Sequence, residues 1–288
     1  MRAGERQPIF QTVGIVGCGV IGGSIGLAIK RRWPATRVIA VDNADVVEIA
    51  RDIGAADDGG ESIASAAGAS LVVLAAPVRA NVAMLEQIPQ ALPDAAVVTD
   101  VGSTKAVTMT AAAALPKRFQ FIGGHPLAGA ALGGVREARV ELFDERPWLL
   151  TPDGSAGPDA LSALRQFVAG VGARPIEISA ADHDRLVAYL SHLPQLTVTA
   201  LMHVVGRSVG EQGLALAGLG LRDTTRLASS PPGIWRDIVA TNTMQVSDAL
   251  DALIDVLTSL KKQAAQPGVS FDDIFISAAQ WKQKLDGQ

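Results

Sequence analysis

A histidine set between two glycines and a proline, in the run FIGGHPLAGA (Phe121–Ala130), is the first place to look for chemistry. An imidazole has an ordinary pKa of about 6.5, so His125 is suited to accept or give a proton near neutral pH. Gly123 and Gly124 permit unusual backbone angles and close approach, and Pro126 confines His125 to an extended backbone. The expectation is an imidazole held by a rigid turn, just past the carboxyl end of a strand, where α/β sheets place their ligands.

A second constellation precedes it. Gly17, Cys18, Gly19, Val20, Ile21 and Gly22 have the spacing G-x-G-x-x-G between an apolar run and an amphipathic stretch. Gly17 permits the tight turn, Gly19 lets the backbone approach a pyrophosphate, and Gly22 lets helix and strand pack closely. The helix that follows offers free N–H groups and a positive dipole end to phosphate. Asp42, 20 positions after Gly22, closes the next apolar run. A carboxylate there accepts from a ribose diol and repels a 2′-phosphate, favouring NAD over NADP. It could also cap the helix that starts in DNADVVEIA. Ser103, in DVGSTK, either serves the site or shares with Thr104 the capping of the next helix. Lys105 reads as solvated.

These residues need a frame. TVGIVG, RVIAVD, SLVVLAAP and AVVTDVG are short apolar runs ending in turn residues, with amphipathic segments between them. Such alternation predicts buried parallel strands joined by right-handed crossovers in a doubly wound α/β sheet. Pro77, closing the third run, is assigned to the cofactor site. RPWLLTP and RPIEIS are read as further strands, separated by a helix around residues 160–171. After Ser179 the periodicity is almost wholly helical, with Pro194 expected to kink the first helix, Pro231-Pro232 breaking a later one and an amphipathic helix over 248–262. The domains are therefore drawn as 1–178, a Rossmann-type dinucleotide-binding domain, and 179–288, an all-helical domain rich in Leu, Val and Ala. Helices of that composition either pack heavily on the neighbouring domain or dimerise, and a homodimer through them is expected.

Bulk properties exclude several alternatives. The 288 residues carry a formal charge of −4, which disfavours general nucleic-acid binding. With one cysteine, neither an internal disulfide nor a cysteine-based metal site can form, and no metal is assigned. No apolar run approaches a membrane span and the N-terminus lacks a signal core, so a cytoplasmic protein is expected.

GIVGCGVIGGSIG, TDVGSTK, GGHPLAGA, SHLPQL and GLRDTTRLASSPPGIWRDI, in that order, together resemble the prephenate/arogenate dehydrogenase family of tyrosine biosynthesis. The resemblance covers nearly the whole chain. It implies a modified Rossmann domain followed by a helical dimerisation domain. The implied reaction removes hydride from C4 of a cyclohexadienyl ring to NAD, the proton from the C4 hydroxyl, and the C1 carboxylate as carbon dioxide. It also implies roles: His125 as base, Ser103 hydrogen-bonded to that histidine, Arg226 on a substrate carboxylate, and His192 and Trp235 near the substrate. His192 and Trp235 could equally be packing residues. Arg222, Arg236, His183 and His203 read as structural or exposed. Some members carry a second histidine where this chain has Gln195, and a glutamate where it has Ala131. Gln195 can still hydrogen-bond a carboxylate, and these positions do not choose between prephenate and arogenate. With no segment left for a regulatory domain, tyrosine inhibition would be competition at the site. The competing readings are a 3-hydroxyacid dehydrogenase, which would want a lysine early in the helical part, and a non-catalytic NAD-binding sensor, which needs no base.

Overall fold

The computed structural model describes residues 7–129, 133–265 and 270–287. Among the described residues eight strands form one sheet: β1 (Thr12–Val16), β2 (Arg37–Val41), β3 (Asp58–Gly60), β4 (Leu71–Leu74), β5 (Ala96–Asp100), β6 (Phe119–Pro126), β7 (Pro147–Thr151) and β8 (Arg174–Glu177). Their order across the sheet is β3-β2-β1-β4-β5-β6-β7-β8. Strands β3 to β6 pair in parallel, β7 runs antiparallel to β6, and β8 is parallel to β7. The order turns back on itself between β1 and β4, the switch point at which doubly wound sheets bind nucleotides. The apolar runs form strands for the reason read from the sequence. Val13, Ile15, Val38, Leu71 to Leu74 and Val98 are buried on both faces of the sheet.

Helices α1 (Val20–Arg32), α2 (Ala44–Asp52), α3 (Val78–Ala91), α4 (Ala106–Ala112) and α5 (Pro158–Gly170) accompany the sheet. Gly26 lets α1 approach the chain closely, since a Cβ there would lie 2.1 Å from the Ala55 carbonyl oxygen. Trp33, at the end of α1, stacks on Phe167 of α5 with ring centroids 5.8 Å apart.

From Ala180 onward the regular elements of the described residues are helices and turns: α6 (Ala180–Val187), a π-helical turn (Ala188–His192), α7 (Leu193–Leu214), α8 (Leu219–Thr224), a 3₁₀ turn (Arg226–Ser229), α9 (Pro232–Thr241), α10 (Thr243–Ala264) and α11 (Asp272–Asp286). The break expected at Pro194 lies instead at Gly210 inside α7 (φ 65°, ψ −174°), and a π-helical turn precedes Pro194. That turn lets Pro194 fall in the first turn of α7, where no intrahelical N–H is required. The chain forms two compact units, Met1–Thr243 and Met244–Gln288, so α6 to α9 cluster with the sheet although their sequence differs from it in character. Among the described residues no helix is long and apolar enough to cross a membrane.

Candidate active site

Each glycine of the β1–α1 loop meets a distinct physical demand. Gly17 has φ +92°, and a Cβ there would stand 2.6 Å from the Ala76 nitrogen. A Cβ on Gly22 would stand 2.1 Å from the Gly17 oxygen, so α1 packs on its own entry loop. Around Gly19 a Cβ would meet nothing within 4 Å, leaving open space where a phosphate would lie. No side chain caps α1 at Gly19, and its first turn holds no acid. The helix start is thus presented uncovered to an anion.

Two cavities meet at this loop. One, of about 640 Å³, is lined by residues including Gly17, Gly19, Asp42, Asn43, Ser62 and Pro77. The other, of about 380 Å³, is lined by Gly19, Val20, Ile21, Pro77 and Ser103, and from α9 by Ile234, Asp237 and Ile238. Asp42 accepts from the Cys18 N–H at 2.8 Å and from the Asn43 N–H. It does not cap α2, because the Asn43 side chain does so through the Val46 N–H. Asp42 therefore ties the tip of β2 to the glycine loop and faces the first cavity. Asn81, fully buried and unremarked in the sequence, fixes the Ala75–Pro77 edge by accepting from the Ala76 N–H and donating to the Leu74 carbonyl. The chain's residues fit a dinucleotide: a phosphate cradle, a ribose-facing carboxylate, and a second chamber beside Ser103.

His125 lies within β6, opposite Leu149 of β7, and not in a turn beyond the strand. Neither Gly123 nor Gly124 has a positive φ. Their role is the close approach alone. A Cβ on Gly123 would meet Thr151 Oγ1 at 2.1 Å, and one on Gly124 the Asp100 carbonyl oxygen at 2.5 Å. The antiparallel partner β7 extends β6 past the length expected of it, which carries His125 inside the sheet.

The ring is oriented by a residue the sequence reading set aside. His125 Nδ1 lies 2.9 Å from His183 Nε2, and His183 Nδ1 lies 2.8 Å from Asp184 Oδ1. His183 and Asp184 are both buried. Asp184 also accepts from the Lys105 N–H at 2.7 Å and the Ala106 N–H at 2.9 Å. It thus supplies the cap of α4 expected from Ser103 or Thr104. Ser103 makes no hydrogen bond to His125 in this structure; it faces the second cavity. Lys105, expected to be solvated, is fully buried and ion-paired with Asp100. Asp100 in turn accepts from the Gly102 N–H at 2.9 Å and the Gly124 N–H at 3.0 Å, pinning the loop that carries Ser103 beside the strand that carries His125. Burial, and the proximity of His183, Lys105 and His192, hold the His125 pKa well below the usual histidine value.

His192 is 1% exposed, packs edge-on against Trp235, and lies 3.4 Å from the Asn242 amide. Burial pushes its pKa down to about 4. Trp235 lines a third cavity, of about 450 Å³, with Gln195, Thr199, Ser230 and Arg236. The Gln195 amide is engaged by Thr199, Leu227 and Ser230. Its visible work is to tie the 226–229 turn to α7. Arg226 stands exposed on that turn and lines none of these cavities, whereas Arg236 lines the third. Neither makes an ion pair among the described residues. Ala131 lies outside the described residues.

Comparison with known proteins decides the family. Residues 25–177 match the family model for the prephenate dehydrogenase nucleotide-binding domain, and residues 179–268 that for the prephenate dehydrogenase dimerization domain. The chain belongs to the prephenate dehydrogenase family. It is 36% identical over 261 residues to prephenate dehydrogenase of Bacillus subtilis (strain 168), covering 88% of this chain and 70% of that one. It is 31% identical over 263 residues to cyclohexadienyl dehydrogenase of Zymomonas mobilis, covering 89% of each. A crystal structure of prephenate dehydrogenase from A. aeolicus, with hydroxyphenyl propionate and NAD⁺, superposes with a TM-score of 0.87 at 28% identity, covering 95% of this chain and 97% of that one. The membership gives the modified Rossmann sheet and the helical part that follows a common explanation.

Proposed function

We propose that this protein is an NAD-dependent prephenate dehydrogenase of tyrosine biosynthesis that works as a cytoplasmic homodimer, with His125 as the proton acceptor. The observation that carries the assignment of the base is the placement of His125. It stands in β6 beside the loop that carries Ser103, to which Asp100 ties the strand, with Nδ1 bonded to His183 and Nε2 without a protein partner among the described residues.

Bound NAD supplies the hydride acceptor. Gly17, Gly19 and Gly22, with the start of α1 at Val20 and Ile21, hold its pyrophosphate, and Pro77 walls the passage between the two cavities. Asp42 takes the ribose diol, which disfavours a 2′-phosphate. His125 Nε2 accepts the proton of the C4 hydroxyl as the hydride leaves C4. The C1–carboxylate bond breaks, its electron pair completes the aromatic ring as the C4 carbonyl pair moves onto oxygen, carbon dioxide departs, and the resulting phenolate takes the proton back from His125. A neutral imidazole is required at the outset, and burial keeps it neutral. Ser103, in the second chamber, is assigned to the substrate hydroxyl. Arg226 is assigned to a substrate carboxylate: a planar guanidinium holds one through two parallel bonds, and Gln195 fixes the turn on which Arg226 stands. Trp235 and His192 support the third cavity, which takes the remainder of the substrate.

Steady-state assays of prephenate and arogenate, each with NAD and NADP, test the whole reading. Prephenate with NAD should give the highest kcat/KM. Arg226→Ala should raise KM for prephenate by about 10- to 100-fold, the equivalent of one charge-assisted pair, with KM for NAD unchanged. No turnover of either cyclohexadienyl substrate would sink the assignment. A preference for NADP would remove Asp42 from its role.

A further inference from the structure

We infer that His183 and Asp184 are positioning residues that fix the tautomer of His125, leaving Nε2 as the proton acceptor. The inference rests on the reading of His125 as base and goes beyond it by assigning which ring nitrogen does the work and why.

Asp184 receives three hydrogen bonds, from the Lys105 and Ala106 N–H groups and from His183. A carboxylate only accepts, so the proton of the 2.8 Å contact belongs to His183 Nδ1. In the neutral imidazole the other nitrogen then carries the lone pair, so His183 Nε2 is an acceptor. The proton of the 2.9 Å contact between the rings must accordingly sit on His125 Nδ1. His125 Nε2 is left unprotonated. Without such a partner a histidine ring is free to choose either tautomer, and only one of them presents a base on the outward side.

The arrangement is rigid at each joint. The Asp184 carboxylate is anchored by the first turn of α4, and its backbone carbonyl accepts from the Asn242 amide at 2.9 Å. His183 has no freedom to turn, being fully buried. On the far side, His125 is held by the ladder between β6 and β7. The ionisable groups packed round the ring are His183, Asp184, His192 and Lys105, with Asp100 behind Gly124. Of these only His183 is hydrogen-bonded to His125. When His125 takes the substrate proton and becomes an imidazolium, the Nδ1–H donates more strongly to His183, and the Asp184 charge stabilises the pair through it.

Nitrogen-15 NMR of the histidine-labelled apoprotein, near neutral pH, reads the tautomers directly. Both His125 and His183 should show protonated Nδ1 and unprotonated Nε2. Protonated Nε2 on His125 would overturn the inference. In kinetics, His183→Leu removes the acceptor and should lower kcat by about 10²-fold, within the range of general-base effects, with KM for NAD unchanged. His183→Gln returns an acceptor oxygen near the place of Nε2 and should recover to within about tenfold of wild type. A merely structural His183 would predict no recovery by glutamine beyond leucine, and that result would also overturn the inference. The comparison with His125→Asn separates the two levels. If His125→Asn is slow and His183→Leu keeps wild-type kcat and pH profile, the positioning role fails alone. If His125→Asn itself keeps wild-type kcat, the assignment of the base fails and takes the tautomer's purpose with it.

Discussion

For a base to work it must be unprotonated, and His125 is surrounded by features that make protonation costly. Burial comes first, followed by His183, Lys105 and His192. Its pKa is therefore displaced downward, and the pH profile has a definite sign. The kcat/KM for prephenate should fall on acidification through an apparent pKa below the usual 6.5 of histidine, and should stay flat on that side through neutrality. An ascending limb centred above 6.5 would contradict the setting described for the ring. His125→Asn should abolish this limb and lower kcat by about 10²–10⁴-fold, while NAD binding, measured by fluorescence quenching, survives. At this scale the sequence pointed to His125 and to the glycines of the β1–α1 loop, because local spacing and turn chemistry are written in consecutive residues. It concealed His183. Its neighbour Asp184 offered a signal, a carboxylate next to a histidine in a helix start, but only the long-range docking of α6 on α4 shows that the pair meets His125.

Among the elements, the loop joining β5 to α4 is held by charge as much as by packing. Lys105 and Asp100 are fully buried partners, and Asp100 also collects two backbone N–H groups. Removing one member leaves the other charged and uncompensated in the interior. Lys105→Met should therefore destabilise the protein by about 3–5 kcal/mol, seen as a lower urea midpoint. An unchanged midpoint would mean that the pair contributes nothing to folding. The sequence made β1, β2, β4 and β5 legible, since strands buried on both faces read as continuous apolar runs. It hid β3, whose residues Asp58–Gly60 carry no apolar signal and which pairs with β2 only at the sheet's edge. It also shortened β6, because two glycines and a proline read as a turn when no antiparallel partner is yet in view.

For the molecule as a whole, the unit Met244–Gln288 presents a face of large apolar side chains. On α10, Ile254 and Leu257, three residues apart and so on one side of the helix, are each 53% exposed; on α11, Phe275 and Trp281 are more exposed still. Together with a matched dimerization domain, this predicts self-association. Sedimentation velocity should show one species of twice the chain mass, and Ile254→Glu combined with Leu257→Glu should shift it to the monomer. A wild-type monomer at micromolar concentration would refute the homodimer. The helical character of this part was plain in the sequence, whereas the grouping of α6 to α9 with the sheet was not, because it depends on contacts such as that of Asp184 with α4.

Cys18 offers a practical use of the same architecture. It is the chain's single thiol, 2% exposed inside the β1–α1 glycine loop, and burial pushes its pKa up to about 12. At neutral pH the group stays a thiol, which is a poor nucleophile. Maleimide dyes should pass the native protein by. A cysteine introduced on an exposed turn would then be the sole attachment point, so distances could be followed by single-molecule fluorescence without first building a cysteine-free background.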